Sequence, residues 1–293
     1  FSYYHSGNAP RIQFFINNEQ IEPYATKITS EVFLRNLPVH TEQAWIACNN
    51  LSDIISCKAI DSPNPVFIEY ENKRIPSGVT VRRLAKASTK KKKHTMTRGG
   101  KFLYWLSGFW LYRKRYQDSW VFIDRPDKAD DNAEHMYRYM RQTHPENRYY
   151  FLLEKDSPHW ARLEKEGFNL IPYGSWNHIF ALIHCKFLLS SHIGKGANTF
   201  LSRSLAPFAK FKFIYFGHGP MKDDLSASLN KFSIDCFTRV THDEYAYITS
   251  PSSPYNLTSA EVVLTGFPRH DALLQGSPVP EKEILFMLTW RKQ

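Results

Sequence analysis

The chain has 293 residues, of which 42% are hydrophobic and 23% charged, a composition that excludes wholesale disorder and fits about two folded domains. The formal net charge of +10 indicates an anionic partner: a membrane surface, a nucleic acid or a phosphorylated substrate. Four cysteines are too few for a disulfide scaffold, so we expect reduced thiols in a cytosolic compartment, and the lack of a Cys-x-x-Cys pair argues against a zinc site. No apolar run reaches the ~20 residues that a membrane-spanning helix needs.

Residues 1–80 are expected to form a small β domain. Short segments rich in Val, Ile, Phe and Trp alternate with clusters of Asn, Asp, Ser and Pro, and no long stretch has a helical period. The expected strands are 11–16, 31–34, 43–47 and 66–70. This pattern predicts an antiparallel sandwich of immunoglobulin-like type. A non-catalytic module that binds a carbohydrate or polymer is an open alternative for this region.

Residues 81–117 form a basic, aromatic segment. Four consecutive lysines at 90–93 precede an apolar and aromatic run at 102–112, which Arg-Lys-Arg closes at 113–115. As one helix the run would be about 16 Å long, half of a ~30 Å hydrocarbon core, so it cannot span a bilayer. Basic flanks around Trp and Tyr are typical of a segment that lies on an anionic membrane surface, here through residues 90–115. The alternative is a buried connector helix with a solvated lysine loop.

Residues 118–280 alternate between strands and helices of about ten residues, which predicts a parallel sheet covered on both faces. The expected strands are 120–124, 149–153, 169–173, 187–191, 213–216 and 261–265. The expected helices are 130–143, capped by Asp130 or Asp131, and 158–166, 176–185 and 243–250. After a Pro-containing linker, 281–293 are expected to begin a second α/β domain. Because the chain starts at Phe1 and stops just after an apolar run, we expect a piece of a longer protein.

Four loops follow the expected strands, and ligands of open parallel sheets bind where strands end. The loops are 124–132, 192–196, 217–226 and 265–271. The third is the most informative, because Gly217 and Gly219 flank His218 and would leave its imidazole unobstructed. A neutral imidazole there could take a proton from an attacking hydroxyl, and Lys222 could meet phosphate charge. The alternative is a turn with an exposed histidine.

The other loops carry weaker candidates. In the fourth, a helix after Gly266 and Pro268 together with Arg269 would make an anion site; alternatively, Arg269 and Asp271 pair only with each other. His192 and Lys195 are a weaker phosphate-binding pair. Residues 130–132 are expected mainly to cap a helix, and contact with a ligand is the weaker alternative.

Taken in order, the loops resemble a known family. The matching stretches are VFIDRPDKADDNAEHMYRYM, FGHGPMKDDLS with a His-Gly-x-x-Lys signature, TGFPRHD with a Thr-Gly-x-Pro-Arg-x-Asp signature, and MLTWRK. Across residues 118–293 they are similar to the CDP-glycerol:poly(glycerophosphate) glycerophosphotransferase family of teichoic-acid and capsule synthesis. The chain departs from the commoner His-Gly-Thr-Pro form by having Pro220 and Met221 after Gly219, which leaves the polyol and the acceptor open.

The resemblance implies a GT-B-like enzyme, with a first Rossmann-like half at 118–280 and a second half that starts at 281–293. Such enzymes transfer glycerol phosphate or ribitol phosphate from a CDP-activated donor to a lipid-linked polymer and release CMP, without a cofactor. The second half holds most of the donor, so this piece is expected to be inactive alone. His218 would be the general base, and Gly217, Gly219, Lys222, Arg269, Gly266 and Asp271 would surround the substrate phosphate.

The implied location is the cytoplasmic face of the bacterial membrane, as a peripheral protein. Two further classes stay open beside this one. A GT-B glycosyltransferase that uses a nucleotide sugar would share the architecture. A nucleic-acid-binding protein would share the charge, but the basic residues are concentrated in one linker beside an apolar run, so we expect no nucleic-acid partner.

Overall fold

The computed structural model describes residues 2–5, 12–34, 37–50, 52–60, 68–70, 73–75, 79–80, 98–108, 110–194, 196–202 and 205–275. The lysine run at 90–93, Lys195 and the start of the expected second domain at 281–293 lie outside these residues.

The N-terminal region is built of antiparallel strands. They are β1 (Ser2–His5), β2 (Ile12–Ile16), β3 (Glu19–Ile21), β4 (Ala25–Leu34), β5 (Leu37–Trp45), β6 (Ile54–Ala59), β7 (Ile68–Tyr70), β8 (Lys73–Ile75) and β9 (Val79–Thr80). They form sheets of order β1-β5-β4 and β3-β2-β6-β9 and a β7-β8 hairpin, and each described pairing is antiparallel. The antiparallel β region is confirmed, whereas the immunoglobulin-like sandwich stays a prediction.

The aromatic run at 102–112 is divided between two helices instead of forming one. Helix α1 spans Arg98–Ser107 and α2 spans Trp110–Tyr116. The N–H of Gly108 donates to the carbonyl oxygens of Tyr104 (3.2 Å) and Trp105 (3.1 Å), which closes α1. A Cβ at position 108 would lie 3.2 Å from the carbonyl oxygen of Trp105, so glycine fits the close turn at which α1 ends.

The second region is a seven-stranded parallel sheet. Its strands are β10 (Trp120–Ile123), β11 (Tyr149–Leu153), β12 (Leu170–Pro172), β13 (Phe187–Ser190), β14 (Lys212–Tyr215), β15 (Cys236–Arg239) and β16 (Val262–Leu264). The order is β12-β11-β10-β13-β14-β15-β16, and all six pairings are parallel. The α/β class and the parallel sheet are therefore confirmed, with β15 as a strand that the sequence pattern did not predict.

Helices follow most of these strands. They are α3 (Asn132–Thr143), α4 (Trp160–Lys165), α5 (Trp176–His184), α6 (Ser226–Leu229), α7 (His242–Thr249) and α8 (Pro268–Gln275). Alternate residues of β10 enter opposite layers: Val121 and Ile123 belong to one apolar cluster and Phe122 to the other, each with no exposed surface. The sheet is thus buried on both faces, which is what doubly wound parallel sheets require.

The strand order reverses at the centre of the sheet. The chain runs from β10 outward to β12 and then returns to place β13 on the other side of β10. In doubly wound sheets such a switch point opens a crevice at the carboxyl ends of the strands. The loops after β10 and β13 border that crevice, and the loop after β14 lies next to them.

Lys27 makes buried contacts that join the β region to the parallel-sheet region. Lys27 lies on β4, yet only 1% of its surface is exposed. Its Nζ donates to the carbonyl oxygens of Ile248 (2.5 Å), Tyr255 (3.1 Å) and Leu257. The ammonium therefore ends among carbonyls at the carboxyl end of α7, where a helix dipole favours a cation.

Candidate functional site

Asp124, at the end of β10, anchors the amino end of α3. Its carboxylate accepts hydrogen bonds from the backbone N–H groups of Asp131 (3.0 Å) and Ala133 (2.9 Å) and from Ser191 Oγ (2.5 Å). Burial raises the pKa of Asp124 to about 7, against the lowering effect of these hydrogen bonds. The residue thus ties β10, β13 and α3 together at the switch point.

The cap of α3 is Asp131, one of the two residues that the sequence allowed. Its Oδ1 accepts from the N–H of Asn132 at 2.8 Å, and its backbone is extended. Asp130 has a positive φ of 83° and lies next to the cap instead. The carboxylate of Asp131 therefore sits at the mouth of the crevice, next to the amino end of α3.

The backbone of the His218 loop is held on both sides of the histidine. Asn132 Nδ2 donates to the carbonyl of Gly217, and Arg269 Nη2 donates to the carbonyl of His218, each at 2.8 Å. Asn132 is fully buried, whereas the His218 ring belongs to an exposed residue. Side chains from α3 and α8 thus fix the loop while the imidazole stays accessible, as the sequence predicts for a catalytic histidine.

Of the two glycines that flank His218, one is required by geometry. Gly217 has a positive φ of 74°, and a Cβ placed on it would lie 2.5 Å from Arg239 Nη2. A Cβ on Gly219 would meet no atom within 4 Å. The sequence interpretation gave both glycines the same role, but the steric need is at Gly217 alone.

Arg239 is the buried support of this loop and was missed by sequence reasoning. Its side chain is 1% exposed and lies 4.1 Å from the centre of the Phe237 ring. Nη2 donates to the carbonyl of Phe216 and Nη1 to Glu244 Oε1, both at 3.0 Å. Glu244 Oε1 also accepts from the N–H of Met221 at 2.7 Å. One ion pair therefore holds the loop before Gly217 and again after Pro220.

The imidazole of His218 stacks on His192, from the loop after β13. The ring centres are 4.9 Å apart and the planes differ by 18°. Arg125 Nε donates to His192 Nε2 at 2.9 Å, and Asp131 Oδ2 lies 3.7 Å from the same nitrogen. Burial, followed by the charges of Arg125 and His218, lowers the pKa of His192 to about 4, so this ring is neutral at physiological pH.

Arg269 pairs across the crevice and not along its own helix. Its Nη1 donates to Asp131 Oδ1 at 2.6 Å, while Asp271 is exposed in the first turn of α8. The alternative of an Arg269–Asp271 pair is thus not what the structure shows. Gly266 has a positive φ of 80° and donates its N–H to the carbonyl of Arg239 at 3.1 Å, which turns the chain from β16 into α8.

Lys222 faces a different space from the two histidines. It is exposed and lines an open groove together with Asp223, Asp243 and Tyr247. Within the described part of the chain it makes no hydrogen bond or ion pair to the crevice residues. Its expected contact with substrate phosphate therefore stays a prediction.

No group of three or more His, Cys, Asp or Glu side chains among the described residues is arranged to hold a metal ion. None of the helices described is long and apolar enough to cross a membrane.

Comparison with known proteins adds three findings. Residues 108–293 match the family model of CDP-Glycerol:Poly(glycerophosphate) glycerophosphotransferases. The chain is 35% identical over 176 residues to the minor teichoic acid biosynthesis protein GgaB of Bacillus subtilis (strain 168), covering 59% of this chain and 19% of that protein. A solved structure of a variant of the wall teichoic acid polymerase TagF aligns with 56% of this chain and 43% of its own, at 14% identity and a TM-score of 0.38.

Proposed function

This chain belongs to the CDP-glycerol:poly(glycerophosphate) glycerophosphotransferase family, and on that premise we propose that the protein transfers glycerol phosphate or ribitol phosphate from a CDP-activated donor to a lipid-linked polymer. The product side of this reaction is the extended polymer and CMP. The observation that carries the proposal is the position of His218: an exposed imidazole on a held loop, at the crevice where four strand-end loops meet. No cofactor enters the proposal.

The chemistry assigned to the site is a displacement at phosphorus. An acceptor hydroxyl attacks the phosphorus that carries the polyol, its proton passes to the His218 imidazole, and the bond from phosphorus to the CMP oxygen breaks. Catalysis of this kind depends mainly on position and on stabilised charge. Arg125 and Arg269 bring two guanidinium groups to the crevice, where Asp131 and the buried Asp124 supply the carboxylates, and these guanidinium groups would stabilise charge on the reacting phosphate.

Replacing His218 tests this assignment. We expect His218→Gln to lower the rate of CMP release by about 10²- to 10⁴-fold, since a general base contributes that much. The matched control is His144→Gln, which changes an exposed histidine in the loop after α3. An unchanged rate in His218→Gln would remove the histidine from the mechanism.

The donor is tested separately with CDP-glycerol, CDP-ribitol and UDP-sugars. We expect turnover with a CDP-polyol and none with the UDP-sugars, because the family membership rests on the CDP-glycerol transferases. Turnover with UDP-sugars alone would replace the proposal by a glycosyltransferase.

The proposal also places the protein on the anionic cytoplasmic leaflet, through α1 and α2. One face of these helices packs inward: Tyr116 is fully buried, and the ring of Tyr112 lies 4.7 Å from that of Phe180. The other face is open, with Trp105 62% and Trp110 67% exposed. Exposed tryptophans beside a basic cluster are typical of helices that lie in the headgroup layer.

Flotation with anionic liposomes tests the membrane contact. Arg113, Lys114 and Arg115 are exposed, and each basic residue near an anionic surface contributes about 1 kcal/mol. Replacing all three by Gln should therefore weaken binding by about 100-fold, and added salt should weaken the unmodified protein in the same way. The control removes three exposed lysines elsewhere (Lys155, Lys165 and Lys231). Equal flotation of both triple variants would contradict the proposed contact.

A further inference from the structure

We propose that His192 is a positioning residue for His218, and that Arg125 keeps it in the neutral form which this role requires. The inference rests on the proposed function, since His218 is taken as the general base. It assigns a task to two residues that the sequence interpretation treated as a weak phosphate site or did not consider. It also accounts for the stacked pair of rings at the crevice.

The first step is the protonation state of His192. A guanidinium has only N–H donors and never accepts a hydrogen bond, so the Arg125 Nε–H at 2.9 Å requires a lone pair on His192 Nε2. The ring proton is therefore on Nδ1. A second proton on Nε2 would break this hydrogen bond and set a cation against the guanidinium, and burial together with the charge of Arg125 lowers the pKa of His192.

The second step concerns the groups that compete for that nitrogen. Asp131 Oδ2, from the cap of α3, lies 3.7 Å from His192 Nε2 and would favour its protonation. Asp131 is already engaged through Oδ1 by Arg269 of α8. Arg125, from the loop after β10, and Arg269 thus oppose the carboxylate from two sides. Removing Arg125 would leave the carboxylate of Asp131, still paired with Arg269, as the charged group that favours a proton on His192 Nε2.

The third step is the effect on His218. When His218 accepts a proton from the acceptor hydroxyl it becomes a cation, and a like charge on a ring 4.9 Å away would disfavour that state. A neutral His192 imposes no such penalty. Its flat face, nearly parallel to that of His218, also limits rotation of the catalytic ring. The neutral partner therefore serves both orientation and proton acceptance.

The experiment combines imidazole nitrogen NMR with pH-rate profiles, both measured on the protein and its variants. In the unmodified chain we expect His192 to show the neutral Nδ1–H form from pH 8 to about 5. In Arg125→Met we expect the pKa of His192 to rise, because the charge of the guanidinium is removed, while burial still holds it below the ordinary histidine value. Since proton acceptance by His218 requires a neutral His192, the acidic limb of the kcat/KM profile should move to higher pH in the same variant.

The double variant R125M/H192F separates this mechanism from a merely structural role. Phenylalanine keeps the flat ring but cannot take a proton, so the acidic limb of the kcat/KM profile should return to its original pH. His192→Ala should lower kcat by about 10-fold or more, with KM for the donor nearly unchanged. The reason is that a displaced His218 slows the chemical step but does not weaken donor binding. His144→Ala is the matched control and should change neither quantity.

Three results would overturn the inference: an Nε2–H form of His192 in the unmodified chain, no return of the limb in the double variant, or full kcat in His192→Ala. Full activity of His218→Gln would instead overturn the proposed function. In that case the NMR measurement still decides whether Arg125 sets the form of His192, because it needs no turnover.

Discussion

At the residue scale, the site depends on the close approach of Gly217 to a buried guanidinium. The backbone of Gly217 is left-handed, and its Cα faces the side chain of Arg239. A Cβ added there would lie 2.5 Å from Arg239 Nη2. Arg239 has little room to yield, since it is paired with Glu244 and covered by Phe237 and Phe267. A side chain at position 217 would therefore displace the arginine, the loop, or both.

Gly217→Ala is accordingly expected to lower the free energy of unfolding by about 2–4 kcal/mol, the sum of a left-handed residue and an overpacked contact. Gly219→Ala is the matched change on the other side of His218, where the added methyl meets open space, and it should stay within about 0.5 kcal/mol. Urea unfolding of the two variants measures the difference. Equal stability of both would contradict the steric account.

The sequence pattern singled out His218, Arg269 and Gly217 as candidates because each lies in a short stretch with a distinctive order of residue types. It could not locate Arg239. An arginine at the end of a four-residue strand has the pattern of a solvated residue, and only the fold shows that Phe237 and Glu244 surround it. For the same reason β15 was not predicted, since one of its four residues is charged and the strand is short.

At the element scale, α3 and α4 are joined by a charged cluster. Glu134 of α3 is fully buried and pairs with Arg138 on its own helix. Arg162 of α4 donates from Nη1 to Glu134 Oε1 at 2.7 Å and from Nη2 to Glu134 Oε2 at 2.9 Å. Glu166 joins the same two arginines at 2.9 and 3.1 Å. Burial by itself would raise the pKa of Glu134, but Arg162 and Arg138 outweigh it and hold the pKa below its usual value.

Because the folded pKa of Glu134 is depressed, its contribution to stability is present above about pH 4.5 and is lost as the pH falls below that value. We expect Glu134→Gln to reduce the free energy of unfolding at pH 7 by about 2–3 kcal/mol, the cost of weakened hydrogen bonds to charged groups. The difference in free energy of unfolding between Glu134→Gln and the unmodified chain should become smaller in acid. Glu146→Gln, at a 65% exposed side chain, is the control. A difference that is constant with pH would contradict the ion-pair account.

The boundaries of α3 show where sequence reasoning succeeds and where it fails. The apolar spacing around Tyr137 and Met140 predicted the helix within two residues of its observed start, and the end at Thr143 agrees. The cap remained ambiguous because Asp130 and Asp131 are equally good cap residues. What decides between them is Asp124, which binds the N–H of Asp131 from a neighbouring strand.

At the scale of the whole molecule, Lys27 links the β region to the parallel sheet. Burial lowers the pKa of its ammonium group to about 8, so most of it is charged at pH 7 and able to donate. No sequence pattern indicates this contact, because the carbonyls it meets lie more than 200 residues away and carry no residue-type signal.

Lys27→Met should leave these carbonyls unsatisfied. We expect hydrogen exchange in the segment around Ile248 and Leu257 to accelerate by 10-fold or more, since one lost buried hydrogen-bond partner costs about 1–3 kcal/mol. Lys58→Met, at an exposed lysine of β6, serves as the control. Unchanged exchange in Lys27→Met would show that the two regions do not depend on this contact.

The two carbonyl hydrogen bonds around His218 have a consequence for its freedom of motion. The carbonyls of Gly217 and His218 belong to the peptide planes before and after one Cα, so Asn132 and Arg269 together fix both backbone torsions of the histidine. Only its two side-chain torsions are left to vary. The backbone entropy of His218 is thus lost when the chain folds, and substrate binding does not incur that loss again.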